Sequence, residues 1–153
     1  MTAIGGLTVR GFPALDANLR KLGVRGPLAV EGALFEFGSL VEGDAKVLAP
    51  VDTGTLRDSG FTLTGSLSAV GITAQPSAEA RALAKNTPTE VTAVVGFGGP
   101  SAPYALVQHE RTDYHHTVGQ AKYLETPLKA RAPELLPIIV ARVEREVAAL
   151  GTA

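Results

Sequence analysis

The sequence predicts an α+β fold, a single domain in which an antiparallel sheet of three to five strands packs against two long amphipathic helices. Three observations predict it. Apolar residues recur at three- and four-residue spacing over residues 27–48 and again over 133–150, the mark of a one-sided helix. Between them lie two runs, "GFTLTGSL" and "EVTAVVGFG", whose apolar residues alternate as in half-buried strands. The 153 residues, 45% hydrophobic and 19% charged, suffice for one globular core and do not describe a disordered chain.

Taken in order, "IGGLTV" (residues 4–9) reads as a short strand weakened by its glycines. A brief helix over Ala14–Leu22 follows, closed by Gly23. A second helix opens at Pro27, which suits a first turn, and Pro50 marks its end. Its stripe is Val30, Leu34, Phe37, Val41, Ala45 and Leu48. Gly32, Gly38 and Gly43 interrupt it, each at about 1 kcal/mol against alanine; they read either as room for a close neighbour or as tolerance in a buried helix.

In the first strand run, Phe61, Leu63 and Leu67 share a face while Val70 and Ile72 change phase, so a bulge or break is expected near Ala69. Val91, Ala93, Val95 and Phe97 repeat the alternation, and the two runs are expected to pair antiparallel. The connector "QPSAEARALAKNTPT" (75–89) is long for a hairpin and reads as a mobile loop or a small helical excursion. Residues 100–121 read as a long exposed loop with a turn at "YALVQ"; loops of that length in compact domains usually carry function. "KYLETPL" leads into the last helix, which starts near Pro133 and carries the stripe Leu136, Val140, Val143, Val147 and Leu150.

Composition narrows the function. A formal net charge of -1 gives no electrostatic footprint for nucleic acid. The absence of cysteine excludes disulfides, thiolate catalysis and cysteine-ligated zinc. The opening "MTAIGGLTVRG" lacks the long apolar core of a signal peptide, and no apolar run approaches the roughly 20 residues of a membrane helix. A soluble chain is expected.

Two stretches invite a catalytic reading. Asp52, in "APVDTGTLRDSG", stands in the Asp-Thr-Gly triplet of retroviral-type aspartic proteases, and "VVGFGG" follows later as their second glycine motif does. Those proteases place the triplet at the end of a strand in an almost entirely β chain. Here it follows a helix, with Pro50 two residues upstream. A turn explains every residue instead: Pro50 stops the helix, Asp52 accepts the N–H of Gly54, Thr53 lies between, and Gly54 takes left-handed angles. Thr55 with Asp58 then opens a short helix as in a capping box. The second stretch gathers His109, His115 and His116 with Glu110 and Asp113, ligand types suited to zinc or iron. The spacing is not His-Glu-x-x-His, and a loop holds ligands poorly. A small hydrolase, using either the metal site at 109–116 or Asp52, is the competing class. "GFGGPS" lacks the lysine of a phosphate loop, and no serine stands on a nucleophile elbow.

The order of the motifs carries a resemblance. An apolar helix runs into "APVDTGTLRDS", strands end in "VVGF", and "PYALVQHE", a histidine-containing loop and "GQAKYLETPL" precede the final helix. This resembles a family of small neck proteins of long-tailed bacteriophages, called tail-completion, head–tail joining or minor capsid proteins. The match lies at Pro50, Val51, Asp52, Thr53, Gly54, Leu56 and Ser59, then at Tyr104, Ala105, His109, Glu110, Lys122, Tyr123, Leu124, Glu125 and Pro127, covering about residues 30–130. The resemblance implies a structural virion protein without catalysis or cofactor, made in the host cytoplasm and placed in the neck or tail. It implies phage partners (connector or adaptor, tail terminator or tail tube) and a homo-oligomeric ring. Neither membrane nor sequence-specific nucleic acid is among the expected partners. The long loop is the expected contact surface, through Tyr104, His109, Glu110, Tyr114, His115, His116 and Lys122. Its tyrosines suit interfaces, where a ring buries while its hydroxyl stays bonded.

Overall fold

The computed structural model describes residues 12–151, and the strand expected at 4–9 lies outside them. The fold is α+β. Helix α1 spans Phe12–Leu48, 37 residues, and is the axis on which everything else packs. The two helices expected at 14–22 and from Pro27 are one. A proline ring inside a helix collides with the carbonyl four residues back. Here that residue is Gly23, and the helix nonetheless continues past both of its expected breakers.

Helix α1 buries Ala29, Ala33, Phe37, Val41 and Ala45, and Ala49 just beyond its end is buried too, while Val30, Leu34 and Leu48 are half-buried. Short strands lie on it: β1 (Phe61–Leu63), β2 (Ser68–Val70) and β5 (Val94–Gly96) form an antiparallel sheet in the order β2-β1-β5. A second ladder pairs β3 (Lys85–Asn86) with β4 (Val91–Thr92). The two apolar runs do pair antiparallel, with Phe61 opposite Gly96 and Leu63 opposite Val94. No bulge at Ala69 changes the phase. The chain reverses instead at Thr64–Leu67, where the N–H of Thr64 donates to the carbonyl of Leu67 at 2.8 Å, and Leu67 sits in the turn. All three residues of β1 are buried; Thr62 lies against Gly38 of α1, and the Phe61 ring lies over Gly96 of β5. Gly38 lets the helix approach: a Cβ there would stand 2.8 Å from Thr62 and 3.0 Å from Val95. Gly32 makes room for Arg142, whereas Gly43 faces open space.

The 75–89 connector holds α3 (Ala78–Leu83), capped by Ser77, and then β3. Residues 100–121 hold α4 (Ala105–Glu110). Helix α5 (Glu125–Arg131) and a 3-10 turn at Ala132–Glu134 lead into α6 (Leu135–Gly151), with Pro133 and Pro137 near its start as expected. Helix α6 lies antiparallel on α1. Arg25 pairs with Glu146 at 3.8 Å and Glu36 with Arg142 at 3.0 Å, so low numbers on one helix meet high numbers on the other, and Asp44 pairs with Arg131 at the end of α5 at 2.5 Å. These partly exposed pairs contribute little stability, about 0–1 kcal/mol each, and they mark the side of α6 that meets α1. That orientation overturns most of its expected stripe. Leu136, Val140 and Val147 are exposed at 67%, 43% and 49%; Leu150 is buried, and Leu135, Ile138, Ile139 and Val143 are half-buried. Apolar rows run along two sides of this helix, and periodicity alone cannot say which of them meets α1. Among the described residues, no helix is long and apolar enough to cross a membrane.

Candidate functional site

The core condenses at the C-terminal end of α1. Ala45, Ala49, Leu56, Ala102, Ala105 and Tyr123 form one buried cluster, with Leu48, Phe97 and Leu124 against it. The three sequence motifs meet around this cluster.

The first is the turn at 50–55. Gly54 has φ 86°, the left-handed region expected of it, and caps helix α2 (Thr55–Asp58) through its backbone. Two expected details differ. Asp52 is exposed, and the bond to Gly54 is not among those found in the described residues; the hydroxyl of Thr53 meets that of Thr55 instead, at 2.8 Å. No side chain caps α2, so Thr55 and Asp58 make no capping box. With a left-handed glycine at the cap, its own backbone already turns the chain into the helix, and the carbonyl of Gly54 accepts from Asp58 at 2.9 Å. The matched Leu56 and Ser59 are structural. Leu56 enters the core, and the buried Ser59 hydroxyl donates to the Leu56 carbonyl and accepts from the N–H of Gly98 at 2.9 Å.

The second and third motifs, "HE" and "KYLE", interlock. The N–H of Lys122 donates to the carbonyl of His109 at 2.8 Å while Lys122 holds a left-handed φ of 56°. His109 Nδ1 lies 2.7 Å from Glu110 and its Nε2 accepts the N–H of Glu125 at 3.4 Å, a pattern that fits the neutral ring with its proton on Nδ1. Lys122 Nζ bonds Glu110 and reaches Glu125 at 3.3 Å. The Lys122 ammonium, then His109, holds the Glu110 carboxyl below its ordinary value, and Glu110 in turn raises Lys122. Lys129 foremost and Lys122 second lower Glu125. Beneath them Tyr123 is 2% exposed, donates to the Ala105 carbonyl at 3.1 Å, and stacks edge-on against Phe97 and His109; burial pushes its hydroxyl up to about 12.

The loop is fastened to the first turn by its backbone. Gln120 N–H donates to the Leu48 carbonyl at 2.8 Å and Val51 N–H to the Val118 carbonyl at 3.3 Å. Gly119, with φ 87°, lies so close that a Cβ would stand 2.6 Å from Ala49 and Pro50. Between turn and loop opens a polar cleft of about 690 Å³, lined among others by Asp52, Thr55, Tyr104, Gln108, His115 and His116. Gln108 Oε1 and His116 Nε2 are buried there without a hydrogen-bond partner among the described residues.

The expected contact residues thus divide. His109, Glu110 and Lys122 join the loop to α5. Tyr104, Tyr114, His115 and His116 stand on the outer wall or rim, Tyr114 beneath Arg111 at 4.2 Å. Arg111 also grips Asp113, holding its carboxyl at about 2. Among the described residues, no three histidines and carboxylates are placed to hold a metal ion.

Two buried carboxylates on α1 were not anticipated. Glu31, 1% exposed, accepts from the Thr64 hydroxyl (2.7 Å), the Ser66 N–H (2.6 Å), the Ser66 hydroxyl (2.7 Å) and the Asn86 amide. Burial pushes its carboxyl up, yet these bonds together hold it below the ordinary value. Glu42 accepts from Thr62 at 2.6 Å and pairs with Lys46 at 2.7 Å. The available signal was their row: Glu31, Gly38, Glu42 and Ala45 share one side of the helix, beside the apolar stripe. Comparison of the chain with protein-family models, with curated proteins and with solved structures finds no match.

Proposed function

We propose that the chain is a structural virion protein of a long-tailed bacteriophage, acting at the neck or tail end. In this reading it completes the tail, or joins it to the head connector, through protein–protein interfaces and without catalysis. It works as a homo-oligomeric ring against connector, terminator or tail-tube proteins. The observation that carries the reading is the apolar surface left uncovered. Ile72 is 96% exposed, Leu106 71%, and the row Leu136, Val140 and Val147 runs down the outer side of α6. Apolar surface on this scale favours burial against partners. The motif order supports the same reading, since its turn and its HE and KYLE segments pack on one core cluster.

The contact surface in this reading is the rim formed by Tyr104, Tyr114, His115 and His116. The test is the double variant His115→Ala/His116→Ala, assayed separately for folding and for particle assembly. Normal folding with failed head–tail joining is expected. Normal assembly, or a chain that no longer folds, would count against that surface.

A further inference from the structure

We propose that residues 4–9 of one copy add a strand to the open edge of the Val91–Gly96 run in the next copy, filling an apolar groove there. The inference rests on the self-assembly part of the function proposed above.

The groove lies where a further strand of the sheet would lie. Strand β5 pairs with β1, and β4 with β3. Glu31 ties the β1–β2 turn to Asn86 of β3, and a Cβ on Gly65 would touch Asn86, so β3 continues beyond the end of β1. The partners of the 91–96 run therefore fall along one side: Phe61, Thr62 and Leu63, then Lys85 and Asn86. The other side is an open edge among the described residues, with backbone N–H and C=O groups available to another strand. Beside it opens a groove of about 350 Å³ between this edge and α5, floored by α1. Leu34, Phe37, Val41, Val95, Leu124 and Leu128 line it with other apolar residues and Thr92, and no lining side chain is charged.

The segment "IGGLTV" matches it. It has no charged side chain, Leu7 and Val9 would project to one side of a strand, and Gly5 and Gly6 let a backbone come close. Its own groove is out of reach. Ile4 stands eight residues before Phe12, where α1 begins, so it extends at most about 28 Å from there. Leu34 lies 22 residues along α1, about 33 Å, and Leu7 and Val9 fall shorter still. With α1 helical from Phe12, a neighbouring copy is what can present its groove to them. Such a contact joins two different surfaces, and head-to-tail contacts of that kind close into rings when the rotation between copies allows.

The chain has no cysteine, so engineered pairs report cleanly. A Leu7→Cys protein is mixed with a Leu128→Cys protein, Leu128 being 46% exposed, and oxidised mildly at rising concentration after circular dichroism shows both folded. The expected result is a covalent mixed dimer exceeding the self-linked products of either protein, and a ladder of larger species from the double variant. A double variant that closes within one chain, or a mixture giving no dimer above background, overturns the proposal. Deleting residues 2–9 separates the two ideas. If cross-linking succeeds but particles assemble without the segment, the strand exchange stands and its role in the neck falls. If cross-linking fails while His115→Ala/His116→Ala still blocks joining, the strand exchange falls and the neck reading stands.

Discussion

The ring of His109 reaches across the loop to accept the N–H of Glu125 with Nε2. It thereby serves the first N–H of α5, a group with no partner inside its own helix. His109→Ala removes that acceptor, the Glu110 contact and the edge-on packing against Tyr123. A loss of about 2 kcal/mol is expected in urea denaturation. Hydrogen exchange should quicken first in α5; unchanged exchange there would refute the capping role.

Tyr123→Phe keeps the packing and deletes one buried bond, leaving the Ala105 carbonyl with its helix partner alone. It is expected to cost about 1–2 kcal/mol, and Tyr123→Ala about 3–5 kcal/mol. Equal losses in the two variants would mean that the hydroxyl, and not the ring, holds the cluster.

Gly38 and Gly43 share a helix and are expected to respond with opposite signs. Alanine gains up to about 1 kcal/mol of helix propensity at either site. At Gly43 nothing lies within 4 Å, so Gly43→Ala should raise the melting temperature. At Gly38 the new methyl would meet Thr62 and Val95 too closely, and α1 would have to lift from the sheet. Gly38→Ala should lower it.

The turn makes a second contrast. Asp52 is exposed, so Asp52→Ala should change stability by less than about 0.5 kcal/mol. Gly54→Val forces a β-branched residue to a φ of 86° and should cost more than about 1 kcal/mol. A large effect at Asp52 in equilibrium unfolding would restore the side-chain turn.

Acid should destabilise the chain, with Glu31 contributing. Its carboxyl is held below the ordinary glutamate value in the folded chain, so between the two values the unfolded chain binds more protons. The contribution is complete above the ordinary value and is lost as pH falls through the folded one. Glu31→Gln puts an amide donor where two oxygens accept, and should cost about 1–3 kcal/mol at pH 7. It should also flatten the acid limb of the stability profile; an acid limb of unchanged slope would rule Glu31 out as its source.

Fold class was legible because two helical periods enclosed two alternating runs. The strand pairing followed from the same alternation, and the left-handed Gly54 from its turn. Other features were set by neighbours that a linear pattern does not show. Pro27 and Gly23 each read as a helix boundary, yet together they are compatible with one helix. The row of α6 that meets α1 depends on packing against residues far along the chain, where Arg142 lies beside Glu36 and Glu146 beside Arg25. Glu31 and Glu42 are buried only because strands and their turn cover them. At the candidate site, the matched motifs were visible as words in order. That His109 and Glu110 lock onto Lys122 and Glu125, while His115 and His116 remain on the cleft, depends on a loop geometry to which spacing is blind.

Pro27 also makes α1 one helix with two stabilities. On its C-terminal side Ala33, Val41 and Ala45 are wholly buried, whereas on the other side Leu19 and Val24 are more than half exposed. The proline offers no N–H to the ladder at the boundary between them. Amide exchange should therefore be graded along the helix, slowest near Val41 and fast before Pro27. The turns before Pro27 are therefore expected to open at a lower free energy than the part of α1 docked on the sheet.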